Sequence, residues 1–176
     1  MLTVKDKTFV PFIDQSTLEG RIAALAAQIS ADYRDKEPLI VVVLNGAFMF
    51  AAELMKNLAV PCRITFIRVG SYVATQSTGV VREILGLQEP LEGQDVILIE
   101  DIVDTGLTIR QVRHQLAEHR PASIRIATLL FKPDALQTDV ALDYVGFEIE
   151  NRFVLGFGLD YDGLGRNTRE VLVLQP

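Results

Sequence analysis

The chain has 176 residues, of which 49% are hydrophobic and 23% are charged, as expected for one globular domain with its own core. The formal net charge of −6 argues against a general binder of nucleic acid or anionic membranes, which needs a basic surface. Cys62 is the only cysteine, so an intrachain disulfide is excluded and the cytoplasm is expected. The sequence shows no signal-peptide pattern, and no apolar run approaches the roughly 20 residues that span a bilayer, so no membrane association is expected.

The first half of the chain predicts two helices around a buried strand. Ser16 and Glu19 form a capping-box pattern, and the apolar stripe after it comprises Leu18, Ile22, Leu25 and Ile29. Residues 39–44 are a continuous apolar run, which is typical of a strand buried on both faces of a parallel sheet. After a turn at Asn45-Gly46, a second helix is predicted from a stripe of Phe48, Ala52, Met55 and Ala59.

The second half predicts more strands and a third helix. Strands are expected at residues 63–69, 80–85, 95–100 and 124–131. The helix after Gly106 carries on one face Ile109, Val112 and Leu116. Residues 71–79, which begin with Ser71 and Tyr72, are polar and poor in core residues, so we interpret them as a mobile loop that serves as a lid.

The alternation of strands and helices indicates an α/β fold, in which helices flank a parallel sheet with right-handed crossovers. From residue 143 onward the strands are short and Gly and Asp are frequent, which suggests a cap over one end of the sheet. We therefore predict a single domain over residues 1–176. Its core covers about residues 15–140, and a small hood comprises about residues 1–14 and 141–176.

Two adjacent acids, Glu100 and Asp101, follow the apolar residues 96–99, at the sheet edge where ligands of parallel sheets bind. Such a pair is costly unless its charge is used, by ribose hydroxyls or by Mg²⁺. Residues 104–108, Asp-Thr-Gly-Leu-Thr, then open a helix whose free amides and dipole suit a phosphate. Taken singly, Asp104 equally suits a helix N-cap and the two acids suit solvated loop positions. The motif in order favours a phosphosugar site.

Several separated motifs resemble those of the hypoxanthine/guanine phosphoribosyltransferase family. They occur in the family order at residues 44–48, 71–72, 76–79, 100–108, 132–133, 143–149 and 153–166. The resemblance implies a type I phosphoribosyltransferase fold, Mg²⁺ dependence and a homodimer or homotetramer. It implies transfer of the phosphoribosyl group from phosphoribosyl pyrophosphate to hypoxanthine, and to guanine as well. A phosphoribosyltransferase for xanthine or uracil, and a non-catalytic nucleotide-sensing regulator of the same fold, are the alternatives.

The resemblance also implies roles for individual residues. Phosphosugar binding falls to Glu100, Asp101, Asp104, Thr105, Gly106, Leu107 and Thr108, and Asp104 is also the candidate general base near purine N7. Pyrophosphate binding falls to Leu44, Asn45 and Gly46, in a loop that in the family often has a cis peptide bond not preceding proline, and to Arg166 from another part of the chain. Purine binding falls to Lys132 at O6, Phe153 by stacking, Val154 at the base edge, and Asp160. The implied metal ligands are Glu100, Asp101 and, for a second Mg²⁺, Asp160.

Two residues depart from the family pattern. Asn45 and Leu107 stand where many or some members have Lys, so neither supplies a cation to the bound phosphates. The backbone amides of both loops remain. We therefore expect a modest change in affinity and not a loss of activity.

Overall fold

A computed structural model of the chain describes residues 1–73 and 80–175. Within these residues the strands are β1 (Leu2–Val4), β2 (Lys7–Ile13), β3 (Leu39–Leu44), β4 (Arg63–Val73), β5 (Val80–Leu85), β6 (Asp95–Val103), β7 (Ser123–Phe131), β8 (Tyr144–Glu148), β9 (Val154–Leu155) and β10 (Val171–Leu174). The α-helices in the same residues are α1 (Gln15–Asp32), α2 (Phe48–Asn57) and α3 (Leu107–Ala117). None of them is long and apolar enough to cross a membrane.

The main sheet has the strand order β5-β4-β3-β6-β7-β8. Its strands β4, β3, β6, β7 and β8 are parallel to their neighbours, and only the edge strand β5 pairs antiparallel, with β4. The predicted α/β fold with a parallel sheet between helices is therefore confirmed. The order also makes β3 and β6 direct neighbours, so the loops that follow them leave the same edge of the sheet.

The core lies on both faces of this sheet, as the continuous apolar runs require. Ile40 and Val42 of β3 pack in one cluster with buried side chains of α1 and α2. Leu39 and Val41 pack in another cluster with α3, whose buried face is the predicted one. Because successive side chains of a strand point to opposite faces, one helical layer covers each side.

The predicted start of α1 was wrong. The N-cap is Asp14, whose Oδ1 accepts hydrogen bonds from the Thr17 amide at 2.9 Å and from Ser16 Oγ at 2.6 Å. Glu19 accepts from Gln15 Nε2 at 2.6 Å and does not complete a capping box. The sequence pattern S-x-x-E resembled the box, but Asp14, two residues earlier, occupies the capping position.

The predicted stripe of α2 was also wrong. The helix ends at Asn57, before Ala59, and its buried residues are Phe50, Ala51 and Leu54, while Phe48 is 42% exposed. The first turns, Phe-Met-Phe-Ala-Ala, are apolar on every side. Periodicity alone therefore could not select the buried face.

The hood is a second sheet with the order β1-β2-β10-β9, all antiparallel, so it joins the two ends of the chain. However, β8 pairs with β7 in the main sheet. The predicted boundary near residue 140 is thus wrong, because residues 144–148 belong to the core. This short edge strand buries only Tyr144 and Gly146, so it lacks the long run buried on both faces that marks the central strands.

The predicted lid at residues 71–79 needs a similar correction at its start. Strand β4 continues to Val73, and Ser71 and Tyr72 pair with Arg82 and Val81 of β5. These two residues are therefore part of a strand. Residues 74–79 of the predicted lid lie outside the described residues.

Candidate active site

The two adjacent acids lie inside β6, which runs three residues beyond the predicted end at Glu100. Glu100 is 8% exposed, and Asp101 Oδ1 accepts a hydrogen bond from the Ile102 amide at 2.9 Å. Burial, together with the neighbouring Asp101 carboxylate, raises the pKa of Glu100 well above its usual range, and burial also raises the pKa of Asp101. Two carboxyl groups that resist ionisation side by side are suited to a site where a cation or hydroxyl donors arrive with the ligand.

The loop after β3 reaches the same place. A cis peptide bond joins Leu44 to Asn45, where the resemblance implies one, and the Gly46 backbone lies against the Asp101 carboxylate. Asn45 Oδ1 accepts a hydrogen bond from Arg68 Nη2 at 3.1 Å. The structure thus brings the predicted pyrophosphate loop to the predicted acids, and it puts a guanidinium group next to the neutral Asn45.

The loop between β6 and α3 surrounds a small cavity of about 90 Å³, lined by Glu100, Ile102, Val103, Asp104, Thr105, Gly106, Thr108 and Ile109. The N-cap residue of α3 is Gly106, with φ of +78°, so the capping position itself carries no side chain, and the Leu107 amide donates a long hydrogen bond to Thr105 Oγ1 at 3.5 Å. The interpretation of Asp104 as an N-cap is therefore wrong. Leu107 is the first helical residue, so the backbone amides at this helix start face the loop.

The wall behind this loop comes from residues that no sequence motif indicated. The Gln137 amide donates to the Thr105 carbonyl at 3.0 Å, and Arg110 Nη1 donates to Thr138 Oγ1 at 2.5 Å. A side chain at Gly106 would press on Leu136, Thr138 and Val140. The loop is therefore held from behind, on the side away from the residues that follow β3.

Lys132 follows β7 and is 6% exposed, so its ammonium group is held within the protein. Its Nζ lies 3.3 Å from Asp104 Oδ2 and 3.5 Å from Asn151 Oδ1. Lys132 and Asp104 are thus brought together next to the cavity. Asn151 is a contact that no sequence signal indicated, because it lies in an irregular segment between β8 and β9.

Phe153 is 42% exposed and packs within an aromatic cluster. Its ring centroid lies 5.9 Å from that of Phe9 and 5.8 Å from that of Tyr161. Val154, the next residue, is buried in β9 and pairs with Val173 of β10. Phe9 was not predicted as part of the site, since nothing local distinguishes it from other apolar residues of an alternating strand.

Asp160 and Arg166 lie in the loop after β9 and form an ion pair, with 2.7 Å between Asp160 Oδ1 and Arg166 Nη2. Arg166 Nη1 also donates to the Gly158 carbonyl at 2.7 Å, and Asp160 Oδ2 accepts from the Gly163 amide at 2.7 Å. Among residues 1–73 and 80–175, no three His, Cys, Asp or Glu side chains form a group that could hold a metal ion. The structure therefore does not gather Asp160 with Glu100 and Asp101 into one ligand set.

The site as a whole combines a pair of buried acids, a phosphate-sized cavity at a helix start, a paired carboxylate and ammonium, and an exposed aromatic ring. All of them lie near or beyond the carboxyl ends of the parallel strands or in the hood beside them. Such an arrangement can bind an anionic sugar phosphate and a planar acceptor, and it can accept a proton from that acceptor.

Comparison with known proteins agrees with this chemistry. Residues 13–162 match the phosphoribosyl transferase domain family. The chain is 41% identical over 166 residues to the hypoxanthine-guanine phosphoribosyltransferase of Mycobacterium tuberculosis, covering 90% of this chain and 82% of that protein. It is 38% identical over 165 residues to the Bacillus subtilis enzyme of the same name, covering 93% and 92%. A solved structure of a hypoxanthine-guanine phosphoribosyltransferase from Bacillus anthracis aligns with a TM-score of 0.87 at 30% identity, covering 97% of this chain and 99% of the other.

Proposed function

From the premise that this chain belongs to the hypoxanthine-guanine phosphoribosyltransferase family, we propose how its residues carry out the reaction. The enzyme transfers the 5-phosphoribosyl group from phosphoribosyl pyrophosphate to hypoxanthine or guanine. The products are IMP or GMP and pyrophosphate. The remaining questions are which side chains hold each substrate and which one accepts the proton.

The assignment of the acceptor site is based on the distance of 3.3 Å between Lys132 Nζ and Asp104 Oδ2, next to the cavity of the phosphate loop. A 6-oxopurine presents N7 and O6 side by side on one edge of the ring system. A carboxylate and an ammonium group at hydrogen-bond distance from one another match that edge. Lys132 donates to O6, and Asp104 accepts the proton that the base carries at N7.

This pairing also discriminates among bases. Adenine has an amino group at C6, which offers Lys132 no acceptor in the ring plane. The ammonium group would then keep Asp104 and Asn151 but would have one donor facing the base without an acceptor. Leaving a buried donor unpaired is costly, and for this reason a site built to bind a polar substituent rejects an analogue that lacks it. The exposed ring of Phe153 supplies the stacking surface for the purine.

On the donor side, Glu100 and Asp101 bind the ribose hydroxyls, and the amides and hydroxyls of residues 105–108 bind the 5′-phosphate. The donor set fits Mg²⁺, because this ion takes one or two carboxylates together with substrate phosphates, and a cation lowers the cost of ionising the buried pair. Glu100 and Asp101 would hold one ion, and Asp160 would hold a second one. When bound, Mg²⁺ supplies positive charge next to the departing pyrophosphate.

Chemistry proceeds by exchange of one bond for another at the anomeric carbon. The bond from C1′ to the pyrophosphate oxygen breaks and its electron pair leaves with pyrophosphate, while N9 of the purine forms the new bond to C1′. The proton of the acceptor passes to Asp104. The backbone of Asn45 and Gly46, together with Arg166, binds the released pyrophosphate. The Asn45 side chain is neutral, but it accepts a hydrogen bond from the guanidinium group of Arg68, which brings a positive charge to this loop.

The function is tested by incubating purified protein with phosphoribosyl pyrophosphate, Mg²⁺ and one of hypoxanthine, guanine, xanthine, adenine or uracil. Pyrophosphate release with hypoxanthine and guanine is the expected result, and release only with xanthine or uracil would contradict it. Asp104→Asn should lower kcat more than it raises the KM of the donor. Asp134→Asn, which removes an exposed carboxylate two residues from Lys132, is the matched control. A kcat of Asp104→Asn equal to that of wild type would refute the role of Asp104 as the base.

We also propose that the enzyme works in the cytoplasm as a homodimer or homotetramer. Support for assembly comes from Phe48 and Phe66, which are 42% and 44% exposed and would be covered by a second copy. Light scattering of the purified protein measures the assembly directly. A monomer at the concentrations used for the assay would contradict it.

A further inference from the structure

We propose that Tyr161 is a positioning residue that orients the purine-stacking ring of Phe153, and that the turn between β1 and β2 holds Tyr161 in place through Asp6. The inference rests on the proposed role of Phe153 in purine binding. It assigns to the hood's first hairpin a function in acceptor affinity, and it concerns residues that do not themselves meet the purine.

The backbone of Phe153 is held by the hood sheet, but this does not determine the orientation of the Phe153 ring. The Leu174 amide donates to the Phe153 carbonyl at 2.9 Å, which attaches this position to the hood sheet. The side chain is 42% exposed, so packing covers only part of it. Since the second side-chain torsion of Phe has a broad energy minimum, the orientation of the ring depends on the neighbours that it touches.

Two rings provide those neighbours. Phe9, which is fully buried, contacts Phe153 with a centroid distance of 5.9 Å and an interplanar angle of 45°. Tyr161 contacts Phe153 at 5.8 Å with an angle of 85°, an edge-to-face geometry that aromatic pairs prefer. Phe9 is immobilised by the hood core, whereas Tyr161 is only partly buried at the edge of that core, with its ring centroid 6.4 Å from that of Phe9. The position of Tyr161 therefore depends on further contacts.

The β1–β2 turn secures it. Tyr161 Oη donates a hydrogen bond to Asp6 Oδ1 at 2.8 Å, and Lys7 Nζ lies 5.2 Å from the centroid of the Tyr161 ring. The same hydrogen bond is the main reason why the pKa of Asp6 lies below its usual value. The Tyr161 side chain thus connects the turn at Asp6 with the ring of Phe153, through a hydrogen bond to the first and an edge-to-face contact with the second.

Such a connection matters for affinity because a stacking surface that is ordered before binding spares the purine the cost of ordering it. Loss of the Tyr161 ring should therefore weaken purine binding. It should leave donor binding unchanged, because the loops after β3 and β6 keep their contacts, and Asp160 and Arg166, which share the loop of Tyr161, are held by their own ion pair and by backbone groups of Gly158 and Gly163. Loss of only the Tyr161 hydroxyl, or of only the Asp6 carboxylate, should have the same effect in smaller measure. A purely structural role would lower stability or kcat without separating the two substrates.

The experiment measures kcat and the KM of hypoxanthine and of phosphoribosyl pyrophosphate for wild type, Tyr161→Leu, Tyr161→Phe, Asp6→Ala and Asp6→Asn. Tyr161→Leu should raise the KM of hypoxanthine about threefold to tenfold, as expected for loss of an aromatic pair, with the KM of the donor unchanged. Tyr161→Phe and Asp6→Ala should raise the KM of hypoxanthine less. The double variant Tyr161→Phe/Asp6→Ala should have the same KM as either single variant, because each substitution breaks the same Tyr161–Asp6 hydrogen bond. Asp6→Asn keeps an acceptor oxygen and should restore the wild-type value.

The control is Lys5→Ala, because the ion pair of Lys5 with Asp162 joins the same turn to the same loop without touching an aromatic ring. Both side chains of this pair are largely exposed, so its removal should leave both KM values unchanged. An equal rise for Lys5→Ala and Tyr161→Leu, or a parallel rise in the KM of both substrates, would overturn the inference. Wild-type protein that forms no nucleotide from any 6-oxopurine would instead refute the proposed function, so the two failures are distinguished by the first measurement.

Discussion

The α-carbon of Gly46 packs directly on the carboxylate of Asp101, so closely that a methyl group at residue 46 would overlap Asp101 Oδ2. In turn, a side chain at Gly158 would overlap the carbonyl of Gly46. Three segments from distant parts of the sequence are thus stacked at the end of the main sheet. The predicted pyrophosphate loop lies in the middle, between the acid of β6 and the hood loop that carries Asp160.

The first prediction concerns this contact. Gly46→Ala should displace either the loop or the Asp101 carboxylate, and a displacement of reacting groups by about 1 Å can cost about 100-fold in rate. We therefore expect a fall of about that size in kcat/KM for phosphoribosyl pyrophosphate, measured by pyrophosphate release. The control is Gly20→Ala, because Gly20 lies in α1 with open space around it. That variant should keep full activity and gain stability from the higher helix propensity of Ala. Wild-type kinetics of Gly46→Ala would contradict the prediction.

Much of the fold could be predicted because local pattern and tertiary role coincide in the sheet centre. The runs of β3, β6 and β7 are apolar on both faces, and only a strand covered by helices on both sides has this pattern. The face of α3 was also predictable, because its three buried apolar residues, Ile109, Val112 and Leu116, are separated by polar ones. Where a segment is apolar all round, as at the start of α2, the buried face is decided by the neighbours and the sequence carries no sign of it.

The site shows the same division. The acids of β6 and the Asp-Thr-Gly-Leu-Thr loop follow one another in the chain, so their proximity is visible in the sequence. The contact between Gly46 and Asp101 depends on β3 and β6 being neighbours in the sheet, and a strand order cannot be deduced from local patterns. Phe9, Tyr161 and Asn151 meet the predicted residues only because the hood folds back over the sheet edge.

The second prediction concerns Lys132. Lys132→Ala removes the donor to O6 and leaves Asp104 without its buried partner, so the KM of both hypoxanthine and guanine should rise about tenfold to 100-fold. The KM of phosphoribosyl pyrophosphate should change little, because the phosphate loop is intact. Initial-rate kinetics with both purines provide the measurement. Equal losses for hypoxanthine and for a purine without O6 would refute the assignment. The matched control is Lys56→Ala, which removes an exposed lysine at the end of α2.

The third prediction distinguishes the observed cap of α1 from the capping box that the sequence suggested. Asp14→Ala should lower the unfolding midpoint in urea at pH 7, whereas Glu19→Gln should leave it unchanged. Hydrogen bonds from Ser16 and Thr17 lower the pKa of Asp14 to about 2. Because its pKa is lower in the folded state, the Asp14 carboxylate stabilises the fold at pH values above its unfolded-state pKa of about 3.9. This contribution is lost as the pH falls through the folded-state pKa. The difference between wild type and Asp14→Ala should therefore shrink between about pH 4 and about pH 2. A difference that stays constant over this range would show that the carboxylate charge is not responsible.

The last prediction concerns the cost of the buried acids. Burial and the Asp101 carboxylate raise the pKa of Glu100, so its contribution to folding is complete below the unfolded value of about 4.3 and declines as the pH rises through the folded value. Ligand-free wild type should thus lose thermal stability relative to Glu100→Gln as the pH increases, and the two should converge toward acidic pH. The control is Glu150→Gln, since Glu150 is exposed and this variant should follow wild type throughout.

Donor ligands should have the opposite effect on the relative thermal stability of wild type and Glu100→Gln. Phosphoribosyl pyrophosphate with Mg²⁺ uses the charge that is costly in the free protein, so its addition should raise the melting temperature of wild type more than that of Glu100→Gln, by mass action on a tighter complex. The KM of the donor should rise in the variant for the same reason. A wild-type protein that gains stability with pH relative to Glu100→Gln would show that the carboxylate is already compensated without ligand. Equal ligand-induced rises in the melting temperature of wild type and Glu100→Gln would refute the role of Glu100 in donor binding, because the Glu100 charge would then make no contribution to the complex.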